Sequence, residues 1–375
     1  MTRELLKGNV AMAEAAVRAG LEAYFGYPIT PQTEVLEHLA RRMPELGRAF
    51  VQAESEVAAI NMVYGAACTG VRVMSSSSSP GMSLMQEGIS YIAGTEIPAV
   101  LINVMRGGPG LGNIAPAQSD YYQAVYGGGH GDYHPIVLAP SSVQEAIDLT
   151  VLSFDLAEKY RNLVFILADG SVGQMMEPAE LPEMRQVIRR DWDWAVTGKG
   201  KRERRVLSSI YINPHEEEIA NYRMQKNWQT IQKNEIRYKD YYLDDAEYVV
   251  VGFGTGGRVS LSAVRAMRQR GIKVGLLRPV SLSPFPFAVL DELAARVKAF
   301  LVVEMNQGQM LTDVQLAVKG RVPVEFYGRP GGVVPFPEEI FRELDRMTTT
   351  KLKIAADPRV DWLERMLPKS NKEII

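Results

Sequence analysis

The stretch AFVQAESEVAAINMVYGAACTGVRVMSSSSSPGMSLMQEGISY, residues 49–91, alternates two patterns. Ala49 to Gln52 reads as a short strand. Val57 to Ala67 is an apolar, small-residue helix closed by Gly70. Val71 to Met74 is the next strand, and Met82 to Tyr91 the next helix. Strands joined through helices imply a parallel sheet covered on both faces. Between strand and helix lies Ser75-Ser-Ser-Ser-Ser-Pro-Gly81, at the carboxyl end of a parallel strand, where α/β sheets bind ligands. A helix cap accounts for one serine, not five, so site-forming and purely structural readings stand level.

The same alternation extends outward. Upstream, Ala11 to Ala19 is a helix ended by Gly20, and Ala23 to Tyr27 a strand. Thr30 then offers a hydroxyl N-cap, with Pro31 at the first helical position and Glu34 in the first turn. Downstream, Ala99 to Met105 and Leu163 to Leu167 are strands flanking the amphipathic helix Val143 to Tyr160. Residues 1–177 therefore read as one α/β domain. Residues 178–243 change character: Trp192, Trp194, a basic run over residues 198–205 and a charged helical stretch from Glu216 to Lys239 make a connector. Alternation resumes over 244–330, a smaller α/β domain. Residues 331–375 are an extension whose end, Lys351 to Ile375, reads as an exposed helical tail.

Composition bounds the function. The chain has 375 residues, 46% of them apolar and 23% charged, with net charge −2. No field favours nucleic acid or an anionic membrane. The first residues lack the apolar core of a signal peptide, and Ile97 to Met105 is too short to span a bilayer. Cys68 is the single cysteine. An internal disulfide is excluded, a reducing cytoplasmic compartment fits, and this chain alone cannot supply the four thiolates of an iron–sulfur cluster. His130 and His134 lie four apart without an evident third ligand, so no metal is assigned.

Three further motifs carry chemistry. Gly252-Phe-Gly-Thr-Gly-Gly257 satisfies the dinucleotide pattern, yet the next strand ends in Leu277-Arg278-Pro279 without the acid that holds a ribose. Arg278 could suit a 2′-phosphate, but a tight strand–helix turn is the better reading. Arg106 at the end of the Ala99 strand, followed by glycines 107, 108, 110 and 112, suits carboxylate or phosphate capture; a salt-bridged loop arginine is the plainer reading. In Gln52-Ala-Glu-Ser-Glu56, acids in a first helical turn suit the helix dipole, but Glu56 directly abuts Val57-Ala-Ala-Ile, where a carboxyl group can be functional.

Together these stretches resemble the alpha subunit of the 2-oxoacid:ferredoxin oxidoreductases. The residues that carry the likeness are Gly26-Tyr-Pro-Ile-Thr-Pro31, Gln52-Ala-Glu-Ser-Glu56, Val63-Tyr-Gly-Ala66, Ser78-Ser-Pro-Gly81, Met105-Arg-Gly-Gly-Pro-Gly110 and Gly129-His-Gly-Asp132. Later matches are Leu277-Arg-Pro279, Val303-Glu-Met305 and Gly328-Arg-Pro-Gly-Gly332. Only the 178–243 connector falls outside the likeness. The Gly107–Gln123 wording is nearest the branched-chain (3-methyl-2-oxobutanoate) members, then the 2-oxoglutarate members.

The resemblance implies a thiamine diphosphate pyrimidine-binding domain followed by a transketolase C-terminal-like domain. It implies that a beta subunit completes the thiamine site and holds the diphosphate and Mg²⁺, in keeping with the absence of a Gly-Asp-Gly motif here. Gamma and ferredoxin-like delta subunits would accompany it, with iron–sulfur clusters on partner subunits only, coenzyme A as co-substrate and ferredoxin as acceptor. By the same likeness Glu56 would hydrogen-bond the cofactor's pyrimidine ring and so promote loss of its thiazolium proton. Tyr27, Pro28, Ile29, Ser79 and Gly81 would line the cofactor. Thr30, Arg106 and Gly107 would meet the 2-oxoacid, with Arg106 clamping its carboxylate. The implied reaction is oxidative decarboxylation to acyl-CoA and CO2 in a multi-subunit enzyme, this subunit being inactive alone; its physiological direction is left open. Two readings compete: a non-redox thiamine-dependent decarboxylase subunit, and an NADP-dependent dehydrogenase built on the Gly252 loop.

Overall fold

The computed structural model describes residues 3–188 and 190–367. Its first part begins β1 (Glu4–Lys7), α1 (Gly8–Arg18), β2 (Ala23–Gly26), α2 (Thr33–Glu45), β3 (Ala49–Gln52), α3 (Glu56–Ala67) and β4 (Val73–Ser77). It continues α4 (Ser79–Gly94), β5 (Ala99–Met105), α5 (Tyr121–Val125), β6 (Ile136–Leu138), α6 (Val143–Tyr160), β7 (Leu163–Asp169), α7 (Gly170–Gln174) and β8 (Met176–Ala179). Strands β6-β7-β5-β4-β2-β3 lie side by side and parallel. β1 and β8 form a separate antiparallel pair.

Period-two side-chain direction explains why β5 is apolar on both faces apart from Asn103. Ala99, Leu101 and Met105 enter the core beneath α3 and α4, while Val100, Ile102 and Val104 enter the core beneath α1, α2 and α6. From β2 the chain moves outward to β3, then returns to β4 on the other side of β2. The sheet therefore has its topological switch point between β2 and β4, where the loops at the strand ends part and leave a crevice.

The second part runs α8 (Pro214–Asn234), β9 (Tyr238–Tyr241), β10 (Tyr248–Val251), α9 (Gly254–Gln269), β11 (Val274–Pro279), β12 (Ser281–Ser283) and α10 (Phe287–Leu293). It ends β13 (Ala299–Glu304), α11 (Met310–Val318), β14 (Val324–Gly328), α12 (Pro337–Thr349) and α13 (Pro358–Met366). Its sheet is ordered β14-β13-β10-β11-β9, with β9 antiparallel. β12 crosses back to pair antiparallel with β6 of the first sheet.

The observed elements differ from the sequence reading at several points; the charged helix α8 ends at Asn234, and Lys239 lies in strand β9 of the second sheet. Thr30 is not the cap of α2: a turn closed by Gln32 N–H to the Ile29 carbonyl intervenes, and the helix starts at Thr33. Ser75, Ser76 and Ser77 belong to strand β4 and are buried; Ser76 donates to Gln32 Oε1 at 2.6 Å and lies 2.8 Å from the Tyr24 hydroxyl. The C-terminal segment is not simply exposed. Trp362 of α13 is 5% exposed, packs on Phe326 and donates to the Gly328 carbonyl at 3.1 Å. Residues 368–375 lie outside the described residues.

The Gly252–Gly257 loop is filled from within the chain. Asp169, at the end of β7, accepts from Thr255 N at 2.8 Å and from Thr255 Oγ1 at 2.6 Å. Gln118 donates to Asp169 at 3.1 Å and to the Phe253 carbonyl at 3.0 Å. Gly254 has φ +50, and a Cβ there would stand 2.6 Å from Asp169 Oδ2. The helix N-terminus that would cradle a pyrophosphate thus holds a carboxylate, which suits its positive end equally well. Arg278, the residue that could meet a 2′-phosphate, is 2% exposed and paired with Glu145. The loop is thus the tight strand–helix turn that the sequence favours, here serving as a latch between the two sheets, and the dinucleotide alternative falls away. Asp169→Asn turns an amide toward at least one of the donors that the carboxylate satisfies. It should lower unfolding free energy by about 2 kcal/mol, read as a lower urea midpoint at unchanged slope; an unmoved midpoint would show that the latch contributes nothing.

Candidate active site

The crevice at the switch point gathers the loops that follow β2, β3, β4 and β5. Tyr27 to Thr30 leave β2, with Tyr27 and Ile29 half-buried and Pro28 and Thr30 exposed. Ser55 caps α3 by accepting from Ala58 N at 3.2 Å, which fixes the direction of the residue that follows it. That residue, Glu56, is 5% exposed, whereas Glu54 two residues earlier is exposed. The carboxyl of Glu56 lies against the first turn of α4, where a Cβ on Gly81 would stand 2.5 Å from its Oε1 and 2.1 Å from Ser77 Oγ. Only glycine at 81 allows this approach.

A second group lies one turn away. Arg106 Nη1 donates to the Thr30 carbonyl at 2.9 Å and Nη2 to the Leu111 carbonyl at 3.0 Å. The structure thus brings Arg106 and Thr30 together across the crevice. Ser79 Oγ lies 3.0 Å from Arg106 N and donates to Asp120 Oδ2 at 2.6 Å. Gly107 closes the loop after β5: its N–H meets the Ala115 carbonyl, its carbonyl accepts from Asn113 N, and a Cβ would stand 2.8 Å from the Asn113 side chain. From the second sheet, the Gly328–Gly332 segment braces this loop, with Asn113 Nδ2 donating to the Gly331 carbonyl at 2.8 Å.

Several buried polar atoms here have no hydrogen-bond partner among the described residues: Ser75, Ser77 and Ser78 Oγ, and Arg106 Nε. Leaving such atoms unpaired is costly, and functional sites are where proteins tolerate it. Asp120 and Asn103 escaped the sequence reading. Asn103 had a visible signal, being the polar residue of the apolar strand AVLINVM; Asp120 lies in a loop with no local pattern. His130 and His134 stand apart from the crevice. Ser90 of α4 donates to the His130 carbonyl, and Ser90 is about 16 Å along the helix from Ser79 by helical rise. His134 stacks on Trp228 with centroids 4.8 Å apart. Among the described residues no three His, Cys, Asp or Glu side chains group to hold a metal ion, and no helix is long and apolar enough to cross a membrane.

Comparison with known proteins decides the family. Residues 14–245 match the thiamine diphosphate-binding domain of the pyruvate flavodoxin/ferredoxin oxidoreductases, and residues 246–340 match pyruvate:ferredoxin oxidoreductase core domain II. The chain belongs to the 2-oxoacid:ferredoxin oxidoreductase family. It is 51% identical to the ketoisovalerate oxidoreductase subunit VorB of Methanothermobacter marburgensis, over 92% of this chain and 97% of that one. The 2-oxoglutarate synthase subunit KorA of the same organism is 36% identical, over 92% and 99%. Among solved structures, the 2-oxoglutarate:ferredoxin oxidoreductase of Magnetococcus marinus, with 2-oxoglutarate, coenzyme A and succinyl-CoA bound, superposes with TM-score 0.82 at 28% identity. It is longer: the match covers 92% of this chain and 65% of that one. A split-gene transketolase shares the fold, at TM-score 0.59 and 13% identity. This chain is thus an α/β oxidoreductase subunit with a thiamine diphosphate-binding domain.

Proposed function

We propose that this chain is the alpha subunit of a branched-chain 2-oxoacid:ferredoxin oxidoreductase that joins oxidative decarboxylation to acyl transfer onto coenzyme A. The observation that carries the reading is the pairing of Glu56 against Gly81 with Arg106 against Thr30 on either side of one helix turn. The buried carboxyl, the glycine approach and the orphaned serine hydroxyls fit the aminopyrimidine half of thiamine diphosphate. Glu56 would hold a proton at a pyrimidine ring nitrogen, with Tyr27, Pro28, Ile29 and Ser79 lining the same loops. Bound thiamine diphosphate supplies the nucleophilic carbon and electron sink that decarboxylation needs.

Arg106 has donors to spare. Each Nη carries a second hydrogen beyond its bond to a backbone carbonyl, and Nε has no partner among the described residues. A planar fork held in this way suits a bidentate grip on the substrate carboxylate. The Thr30 hydroxyl, on the residue whose carbonyl Arg106 holds, would meet the same substrate, and Gly107 keeps the loop close.

A beta subunit would hold the diphosphate and Mg²⁺, and gamma and delta subunits would carry the iron–sulfur clusters that pass electrons to ferredoxin. The rim supports a covering partner: Leu111 and Ile114, on the Arg106 loop, are 81% and 64% exposed. Iron bound elsewhere and a lone half-buried Cys68 fit a reducing cytoplasm. Purified alone under anaerobic conditions, the chain should be colourless and inactive, gaining 2-oxoacid oxidation only with its partner subunits. Stoichiometric iron and sulfide on the single chain, or activity without partners, would overturn the reading.

A further inference from the structure

Arg106 is held by its main chain as well as by its guanidinium. Its N–H donates to Ser79 Oγ at 3.0 Å. A hydroxyl has one proton and two lone pairs, so its direction is set by where that proton goes. Two acceptors stand within reach, the Arg106 carbonyl at 3.3 Å and Asp120 Oδ2 at 2.6 Å; the shorter bond to the charged group takes the proton and leaves a lone pair for the Arg106 N–H. The same Asp120 oxygen accepts from Asn103 Nδ2 at 2.9 Å, and Asn103 Oδ1 accepts from Ser79 N at 3.2 Å. Two separate elements, the start of α4 and strand β5, thus converge on the carboxylate of the residue before α5. Burial raises the Asp120 carboxyl above its ordinary range, a rise that the bonds from Ser79 and Asn103 and the charge of Arg106 reduce without cancelling.

We propose that Asp120 is a positioning residue of the substrate clamp: its carboxylate locks the Ser79 hydroxyl, which fixes the peptide from which Arg106 reaches the 2-oxoacid. This rests on the reading of Arg106 as the clamp. Asp120 acts through Ser79 and needs no contact with substrate. α5 is itself anchored, since the hydroxyls of Tyr121 and Tyr126 both donate to Asp313 of α11. The carboxylate therefore has a fixed base from which to orient its partners.

The test is steady-state kinetics on the complete complex with Asp120→Asn, Ser79→Ala, their double variant and Arg106→Lys, with thermal unfolding of each. Asp120→Asn should raise the KM for the 2-oxoacid about tenfold, the worth of one hydrogen bond to a charged group, with kcat changed much less. Ser79→Ala should do the same, and the double variant no more than Ser79→Ala, because the first change takes the charge out of one chain of bonds and the second cuts that same chain. An unchanged KM, additive effects, or a fall in kcat alone would overturn the proposal. If Asp120→Asn unfolds the complex, Ser79→Ala decides: a raised KM at unchanged Tm supports the proposal and a normal KM sinks it. A normal KM in Arg106→Lys would remove the clamp and the positioning role together; a raised KM there with a normal one in Asp120→Asn would remove the positioning role alone.

Discussion

Glu56→Gln in the assembled enzyme should lower turnover by about 10² to 10⁴-fold, the range for a placed acid–base group, and should leave the fold intact. The amide matches the carboxyl in size, so the contact with Gly81 and the Ser55 cap survive. What it loses is the ability to exchange a proton with a pyrimidine nitrogen. Exchange of the C2 proton of bound thiamine diphosphate, followed by NMR, reads this step apart from partner assembly and electron transfer. Near-normal exchange in Glu56→Gln would remove the residue from the mechanism. Glu54→Gln is the internal control: Glu54 is exposed, and its variant should exchange normally.

Arg106→Lys should raise the KM for the 2-oxoacid about 10 to 100-fold, equivalent to one charge-assisted hydrogen bond. The ammonium keeps the charge, but it cannot reach the Thr30 and Leu111 carbonyls and a carboxylate in one plane. Thr30→Val keeps the shape and removes the hydroxyl, leaving the carbonyl that Arg106 holds. Its effect should be smaller and confined to substrate binding and turnover. Normal kinetics in both variants would place the substrate elsewhere.

The parallel sheet was readable because β5 and β7 are dominated by apolar residues, with Asn103 and the terminal Asp169 as exceptions, and the helices between strands carry their own breaks. Glu56 and Arg106 were readable because each breaks a local rule, one as an acid against an apolar helix, the other as a cation at a strand's end. The start of α2 was misread because Thr30-Pro31 mimics a cap, while the observed turn depends on Gln32 and its bond network. The serine run was half strand because hydroxyls can pair across buried elements, as Ser76 does with Tyr24 and Gln32, a long-range fact no local pattern contains. Asp120 was invisible for the same reason: its partners Ser79 and Asn103 are distant in sequence and meet only near the carboxyl ends of the interior strands β4 and β5. The Gly252 loop matched a ligand motif because a carboxylate from the same chain exploits the geometry that a phosphate would.

Substrate choice turns on charge. A second carboxylate buried without a cation is expensive. Arg106 is the cation that reaches the Thr30 loop at hydrogen-bond distance, while Lys7, which borders that loop, is tied to Glu34. His130 lies beside the far end of α4, where its carbonyl accepts from Ser90, away from this loop. The higher identity to a ketoisovalerate oxidoreductase subunit than to 2-oxoglutarate synthase subunits points the same way. The decisive measurement is kcat/KM for 3-methyl-2-oxobutanoate, 2-oxoglutarate and pyruvate in the complete complex, with coenzyme A and a low-potential acceptor. The account predicts a clear preference for 3-methyl-2-oxobutanoate; a strong preference for 2-oxoglutarate would contradict it.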